Sequence, residues 1–230
     1  NIYSEASKLE SIEIKGIDFH IGSQITELSP FMNSFEKIKE IINKLSELKI
    51  KLQHIDIGGG LAIRYENENL PSKKEFIVAI KKELSQLGLK IVIEPGRSLV
   101  GDAGIIVTKV LYVKKTATKN FLIVDVGMND FLRPPLYGAF HSIKEVEQKK
   151  IDSETYDVVG PVCESTDFMG KDRQLSAEEG DYLVIENAGA YGFALSSNYN
   201  SRPKPAELMT INGKAKVIRN KETSDQLIIN

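Results

Sequence analysis

The spacing of apolar residues changes character part-way along the chain. Ile12 to Phe19 alternates and is rich in isoleucine, which predicts a strand. Ser29 and Pro30 then read as a helix N-cap and first helical residue. Phe31, Phe35, Ile38, Ile41, Ile42, Leu45 and Leu48 follow at helical spacing, a stripe suited to packing on a sheet. Leu52 to Ile57 predicts a second strand, ending in three glycines. Ser72 and Glu75 form a capping box, and Phe76, Ile77, Ile80, Leu84 and Leu87 give a second helix that Gly88 closes. Lys90 to Glu94 is a third short strand. Strand-helix-strand-helix-strand with right-handed crossovers implies a parallel sheet.

Beyond residue 104 the helical spacing disappears. Ile105–Lys115, Asn120–Val126, Thr155–Val159 and Asp181–Glu186 read as strands, joined by links rich in Gly, Pro and polar residues. That pattern predicts a mostly antiparallel β domain over 105–230, after an α/β domain over 1–104. Lys144 to Lys150 reads as a solvated loop, Val217–Arg219 as a last strand, and Asn220–Asp225 as surface. Three βα strands cannot close a barrel of about eight. Their outer strands would expose edges. Either the sheet is open, or an N-terminal portion of the protein lies outside this sequence.

Composition narrows the class. The 230 residues, 41% hydrophobic, suffice for one large or two smaller globular domains. A formal net charge of -2 gives no basic surface for nucleic acid. No apolar run approaches the roughly 20 residues of a membrane span, and Asn1 to Glu10 lacks a signal peptide's apolar core. The first residue is not Met, which suits a piece of a longer protein. One cysteine fits a reducing, cytoplasmic compartment. Histidines at 20, 54 and 141 make no zinc pattern, and no metal site is expected.

Four polar-and-glycine clusters each end a strand-like run: His20-Ile21-Gly22-Ser23-Gln24, Asp56-Ile57-Gly58-Gly59-Gly60, Glu94-Pro95-Gly96-Arg97 and Gly160-Pro161-Val162-Cys163-Glu164. The glycines at 58 to 60 would let backbone amides approach an anion closely, though such a run is as readily a tight turn. They form neither a P-loop nor a dinucleotide fingerprint. Glu94 and Arg97 could be a surface ion pair flanking a turn, and His20 a structural histidine. Taken together, His20, Gly60 and Glu94 fall at C-terminal strand ends, where barrel enzymes keep their chemistry.

In this order the four clusters resemble the alanine-racemase-like, fold-type III pyridoxal-phosphate decarboxylases, and most closely their diaminopimelate branch. The resemblance runs from about residue 12 to about residue 208. It implies the last three strands of a pyridoxal-phosphate-binding (β/α)8 barrel in 1–104, then a β domain carrying substrate and dimer-interface residues. In the family, the residue matching His20 stacks on the cofactor ring and that matching Ser23 binds its phosphate. The glycines matching Gly58, Gly59, Gly60 and Gly96 let backbone approach. A carboxylate placed like Glu94 keeps the pyridine nitrogen protonated, making the ring an electron sink. Arg97 could pair with a phosphate or a carboxylate.

The stretch Gly127 to Tyr137 is similar to the one through which the diaminopimelate branch grips a substrate carboxylate, with Arg133 and Tyr137 as contacts. Cys163 matches an acid-base catalyst that reaches the partner subunit's active site, and Glu164 a contact to the substrate's distal amino group. Ornithine-type relatives carry Asp at the position of Glu164; Thr166 departs from the Gly or Ser expected nearby. Tyr191, in Ala188-Gly189-Ala190-Tyr191-Gly192, matches a tyrosine touching cofactor phosphate and substrate. Asn198 to Pro203 is also typical of the family, whereas His54 and His141 match no catalytic position and read as structural.

The resemblance therefore implies decarboxylation of meso-2,6-diaminopimelate to L-lysine and CO2 in a homodimer with shared active sites. The family bonds its cofactor through a lysine in a Tyr-Ala-x-Lys setting on an early barrel strand. No lysine here stands in that setting. The bonding lysine is expected outside this sequence, and these residues alone are expected to be inactive. Two alternatives stay open. One is a related enzyme acting on ornithine, arginine, lysine or a carboxylated polyamine such as carboxynorspermidine. The other is a non-catalytic homologue that regulates a partner enzyme.

Overall fold

The computed structural model describes residues 2–228, which fall into two compact units divided between Leu99 and Val100. The first unit contains α1 (Ile2–Ala6), β1 (Gly16–Asp18), α2 (Ser29–Glu47), β2 (His54–Asp56), α3 (Lys73–Leu84) and β3 (Lys90–Val92). A single turn, α4 (Arg97–Val100), follows. The three strands pair in parallel in the order β1-β2-β3, with Ile17, Ile55 and Ile91 in one row and Asp18, Asp56 and Val92 in the next.

Alternation along each strand sorts this sheet's two faces. Ile17 and Ile55 are buried in one cluster with Phe31, Phe35, Ile38 and Leu45 of α2 and Phe76, Ile80 and Leu84 of α3. Each such side chain contributes roughly 1.5–3 kcal/mol through its burial. Asp18 and Asp56 share the opposite face with Val92, and Glu94, two residues past Val92, falls on that face by the same alternation.

Three expectations change here. Each parallel strand has only three residues, and Ile12–Lys15 lie outside β1. Leu28, not Ser29, is the N-cap of α2; Ser29 and Pro30 sit inside the helix, and the Ser29 hydroxyl donates to Glu27 Oε2 at 3.1 Å. Ile41 and Leu48 are exposed, because at 100° per residue they fall about 80–100° from Phe31, on the flank of the stripe. The Ser72–Glu75 capping box is present in full, and Gly88 closes the 3-10 turn after α3 with φ 67°.

The second unit is a six-stranded sheet and a separate hairpin. Its strands are β4 (Ile106–Lys115), β5 (Asn120–Val124), β6 (Ile143–Glu145), β7 (Glu154–Val159), β8 (Phe168–Leu175) and β9 (Tyr182–Ile185). They lie in the order β6-β9-β4-β5-β7-β8, antiparallel throughout except for the β5–β7 pair. Val110, Leu122, Val124, Phe131, Val158, Met169, Leu183 and Ile185 form its core. The short helix α5 (Arg133–Tyr137) leaves the β5–β6 connection and ends at Gly138, φ 61°. The hairpin β10 (Glu207–Ile211) and β11 (Lys214–Arg219) turns through Asn212 and Gly213, both at positive φ, and α6 (Ser224–Ile228) ends the described chain.

Lys144 and Glu145 belong to β6 rather than to a loop: Ile143 is buried, and the Glu145 carboxylate accepts the Ser176 amide at 2.5 Å. Strand β8 gave no alternating signal because charged Lys171, Asp172 and Arg173 interrupt it, and its pairing with β7 shifts register twice. Among the described residues no helix is long and apolar enough to cross a membrane.

Candidate active-site elements

In the first unit the polar groups gather beyond the C-terminal ends of β1, β2 and β3. The Gly59 amide donates to His20 Nδ1 at 3.2 Å. That nitrogen must therefore carry a lone pair, and the neutral ring's proton sits on Nε2. The Gly58 amide donates to Asp56 Oδ1 at 2.9 Å, and the Glu94 amide to the Gly58 carbonyl at 2.8 Å. The packing leaves no room for side chains: a Cβ on Gly59 would lie 2.3 Å from the Glu94 carbonyl, and one on Gly58 2.7 Å from His20 Nδ1. Two glycines expected to face an anion thus also hold the His20 ring.

The loop after β1 is tied to the loop after β2. Gln24 donates through Nε2 to the Ile63 carbonyl at 2.7 Å and accepts the Ile63 amide at 3.3 Å. The Ile25 amide donates to the Gly60 carbonyl at 2.9 Å. Arg97 then crosses this platform: Nη2 donates to Ser23 Oγ at 3.0 Å and Nη1 to the Tyr65 phenol at 2.8 Å, with the guanidinium 5.7 Å from the Tyr65 ring centre. A Cβ on Gly96 would meet nothing within 4 Å. The carboxylates of Asp18, Asp56 and Glu94 lie within 4.8 Å of one another. Sequence reasoning assigned no role to Tyr65 or Asp56. Tyr65 carries no local motif; Asp56 stood inside the quoted glycine cluster.

In the second unit the structure brings Arg133, Tyr137 and Tyr191 together. The buried Arg133 guanidinium lies 5.8 Å from the Tyr137 ring centre and 5.4 Å from that of Tyr191. Tyr191 holds a positive φ of 64°, and the neighbouring Gly192 admits no Cβ, which would lie 2.4 Å from the Ala188 carbonyl. Cys163 and Glu164 are exposed on a different loop, the one after β7.

That loop is shaped by Asp167, to which sequence reasoning gave no role. Its carboxylate accepts the Val162 amide at 2.7 Å and the Met128 amide at 2.6 Å, joining the Cys163 loop to the Gly127–Tyr137 stretch. Burial raises the Asp167 carboxyl above the usual aspartate range, against the pull of those two amides. Asp130, which accepts the Gly127 amide, is raised by burial too. Arg202 braces the same stretch by donating to Asn129 Oδ1 at 2.9 Å and to the Asp125 carbonyl at 2.8 Å.

A parallel βα segment with a ring histidine, a carboxylate and an arginine at its strand ends, followed by a mostly antiparallel sheet, matches the arrangement expected of the fold-type III pyridoxal class. Residues 2–189 match the family model described as pyridoxal-dependent decarboxylase, C-terminal sheet domain. Diaminopimelate decarboxylase of Neisseria meningitidis serogroup B is 45% identical over 228 residues, covering 99% of this chain and 55% of that protein. The crystal structure of AQ1208 from Aquifex aeolicus superposes with a TM-score of 0.95 at 43% identity, over 98% of this chain and 57% of that one. Diaminopimelate decarboxylase from Helicobacter pylori, solved with L-lysine, gives 0.90 at 44% identity, over 97% and 56%. The chain belongs to the pyridoxal-dependent decarboxylases. It spans about half the length of the curated relatives it matches.

Proposed function

We propose that this chain is part of an enzyme that decarboxylates meso-2,6-diaminopimelate to L-lysine and CO2, in the cytoplasm, as a homodimer. The observation that carries the reading is the placement of His20 after β1 and of Glu94 and Arg97 after β3, with the His20 ring fixed by the Gly59 amide after β2. Relatives named for this reaction, more than 40% identical over nearly the whole chain, support the choice of substrate.

The residues fit pyridoxal 5'-phosphate. Ser23, Gly60, the Gly96 backbone and Arg97 offer donors for a phosphate, beside open space at Gly96. Bound there, the cofactor supplies an electron sink for the pair left behind when a carboxylate departs. Glu94 would hold the cofactor's ring nitrogen protonated, and His20 would brace the cofactor. Arg133, flanked by the Tyr137 and Tyr191 rings, grips the carboxylate that the substrate keeps. Glu164 meets the distal ammonium, and Cys163 of the partner subunit is the candidate to deliver a proton to the carbon that has lost CO2.

Turnover by the full-length enzyme across meso-diaminopimelate, ornithine, arginine, lysine and carboxynorspermidine tests the substrate. A preference for any of the last four overturns it. Glu94→Ala should abolish decarboxylation; unchanged turnover removes Glu94 from the mechanism.

A further inference from the structure

Among the described residues, His141 is a fully buried histidine with no role in the reading above. Its ring meets Phe131 edge to face, with centroids 4.7 Å apart and planes at 79°. Nδ1 lies 2.9 Å from the Glu186 carbonyl oxygen. A carbonyl can only accept, so Nδ1 carries a proton, and the Arg133 Nε–H, which can only donate, requires a lone pair on Nε2. That lone pair receives the Nε–H of Arg133 at 3.3 Å.

We propose that His141 is a positioning residue, which turns the Arg133 guanidinium so that its Nη1/Nη2 edge receives the substrate carboxylate. The proposal rests on the carboxylate-gripping role given to Arg133 above. A guanidinium can bind a carboxylate bidentately through its Nη1/Nη2 edge or through its Nε/Nη edge. An imidazole on Nε closes the second choice. The Tyr137 and Tyr191 rings flank the guanidinium, while the Glu186 carbonyl and the Phe131 ring fix the imidazole. The orientation of Arg133 is thereby passed back to the backbone at Glu186, just after β9.

The side chains Asn and Gln separate the two nitrogens. His141→Asn keeps a donor near the Nδ1 position but loses the acceptor toward Arg133; His141→Gln keeps an acceptor near the Nε2 position. The measurement uses the full-length enzyme, with L-lysine and cadaverine as competing ligands. They share a diamine chain, and only L-lysine has a carboxylate. His141→Asn should raise KM for meso-diaminopimelate and Ki for L-lysine together by about tenfold, with kcat and the cadaverine Ki within about twofold of wild type. His141→Gln should restore most of the loss.

Equal weakening of L-lysine and cadaverine, or no weakening, overturns the positioning role and leaves His141 a packing residue. A wild-type enzyme that binds L-lysine no better than cadaverine overturns the Arg133 reading itself, and this proposal falls with it. If His141→Asn fails to fold, histidine ¹⁵N NMR on the wild-type protein decides: a proton on Nδ1 with an accepting Nε2 is required, and a proton on Nε2 refutes it.

Discussion

Arg97 donates to the Ser23 hydroxyl at 3.0 Å across 74 positions of sequence, and so ties the segment after β3 to the loop after β1. A second anchor is the Tyr65 phenol, at 2.8 Å. Tyr65→Phe removes that acceptor while keeping the ring beneath the guanidinium. The expected result in the full-length protein is a roughly tenfold rise in the dissociation constant for pyridoxal phosphate, the scale of one hydrogen bond to a charged group, with little change in melting temperature. An unchanged constant would mean that the Tyr65 bond does not set the orientation of Arg97.

Gly59 is required where it stands by a neighbouring backbone oxygen, which no rotamer change can move. A methyl group there would lie 2.3 Å from the Glu94 carbonyl. Gly59→Ala should therefore push Glu94 outward and loosen His20. We expect a cost of about 1–3 kcal/mol in stability and weaker retention of pyridoxal phosphate, read by its absorbance after dialysis. Full retention would show that the strand end yields without moving Glu94.

The raised carboxyls of Asp167 and Asp130 set a sign for acid behaviour. Because the folded state holds these protons more tightly than the unfolded chain, protonation favours folding. Their contribution is complete below the ordinary aspartate value and is lost as pH rises through the raised values. Carboxyl NMR should find both midpoints above the ordinary aspartate range. In Asp167→Asn, denaturant unfolding between about pH 3 and 6 should show a shallower loss of stability with rising pH, on top of a lower overall stability from one mismatched amide.

Arg202 braces the stretch that leads to Arg133. Arg202→Ala leaves Asn129 Oδ1 and the Asp125 carbonyl without this donor. Differential scanning calorimetry should register a loss of roughly 1–3 kcal/mol. It also takes away a nearby positive charge, 3.9 Å from Asp130 Oδ2, so the Asp130 midpoint should climb further.

Much of the first unit was legible because each signal there is local. The Ser72–Glu75 box, the Phe31–Phe35–Ile38 stripe and the three glycines each act within a few residues. The strand ends of the second unit were legible where Val and Ile alternate, as in β4. Strand β8 was not, because its place depends on pairing with β7 rather than on its own Lys171-Asp172-Arg173. The β10–β11 hairpin did carry a usable signal, Asn212-Gly213, the pair that suits a two-residue turn with both residues at positive φ. His20, Glu94 and Arg133 could be singled out by motif. Tyr65, Asp167 and His141 could not, since what they do depends on partners 32, 39 and 8 positions away.

The in-register rows of the parallel sheet make strand length a chemical constraint. Ile55 and Asp56 are adjacent, yet one belongs to the buried helix-facing row and the other to the polar row. Inserting a single residue into β2 would exchange them, sending a carboxylate into the layer with Phe35 and Leu84 and an isoleucine toward His20. Insertions and deletions are therefore tolerable only in the connections between strands. A one-residue slip in any of the three would damage folding and active-site chemistry in the same stroke.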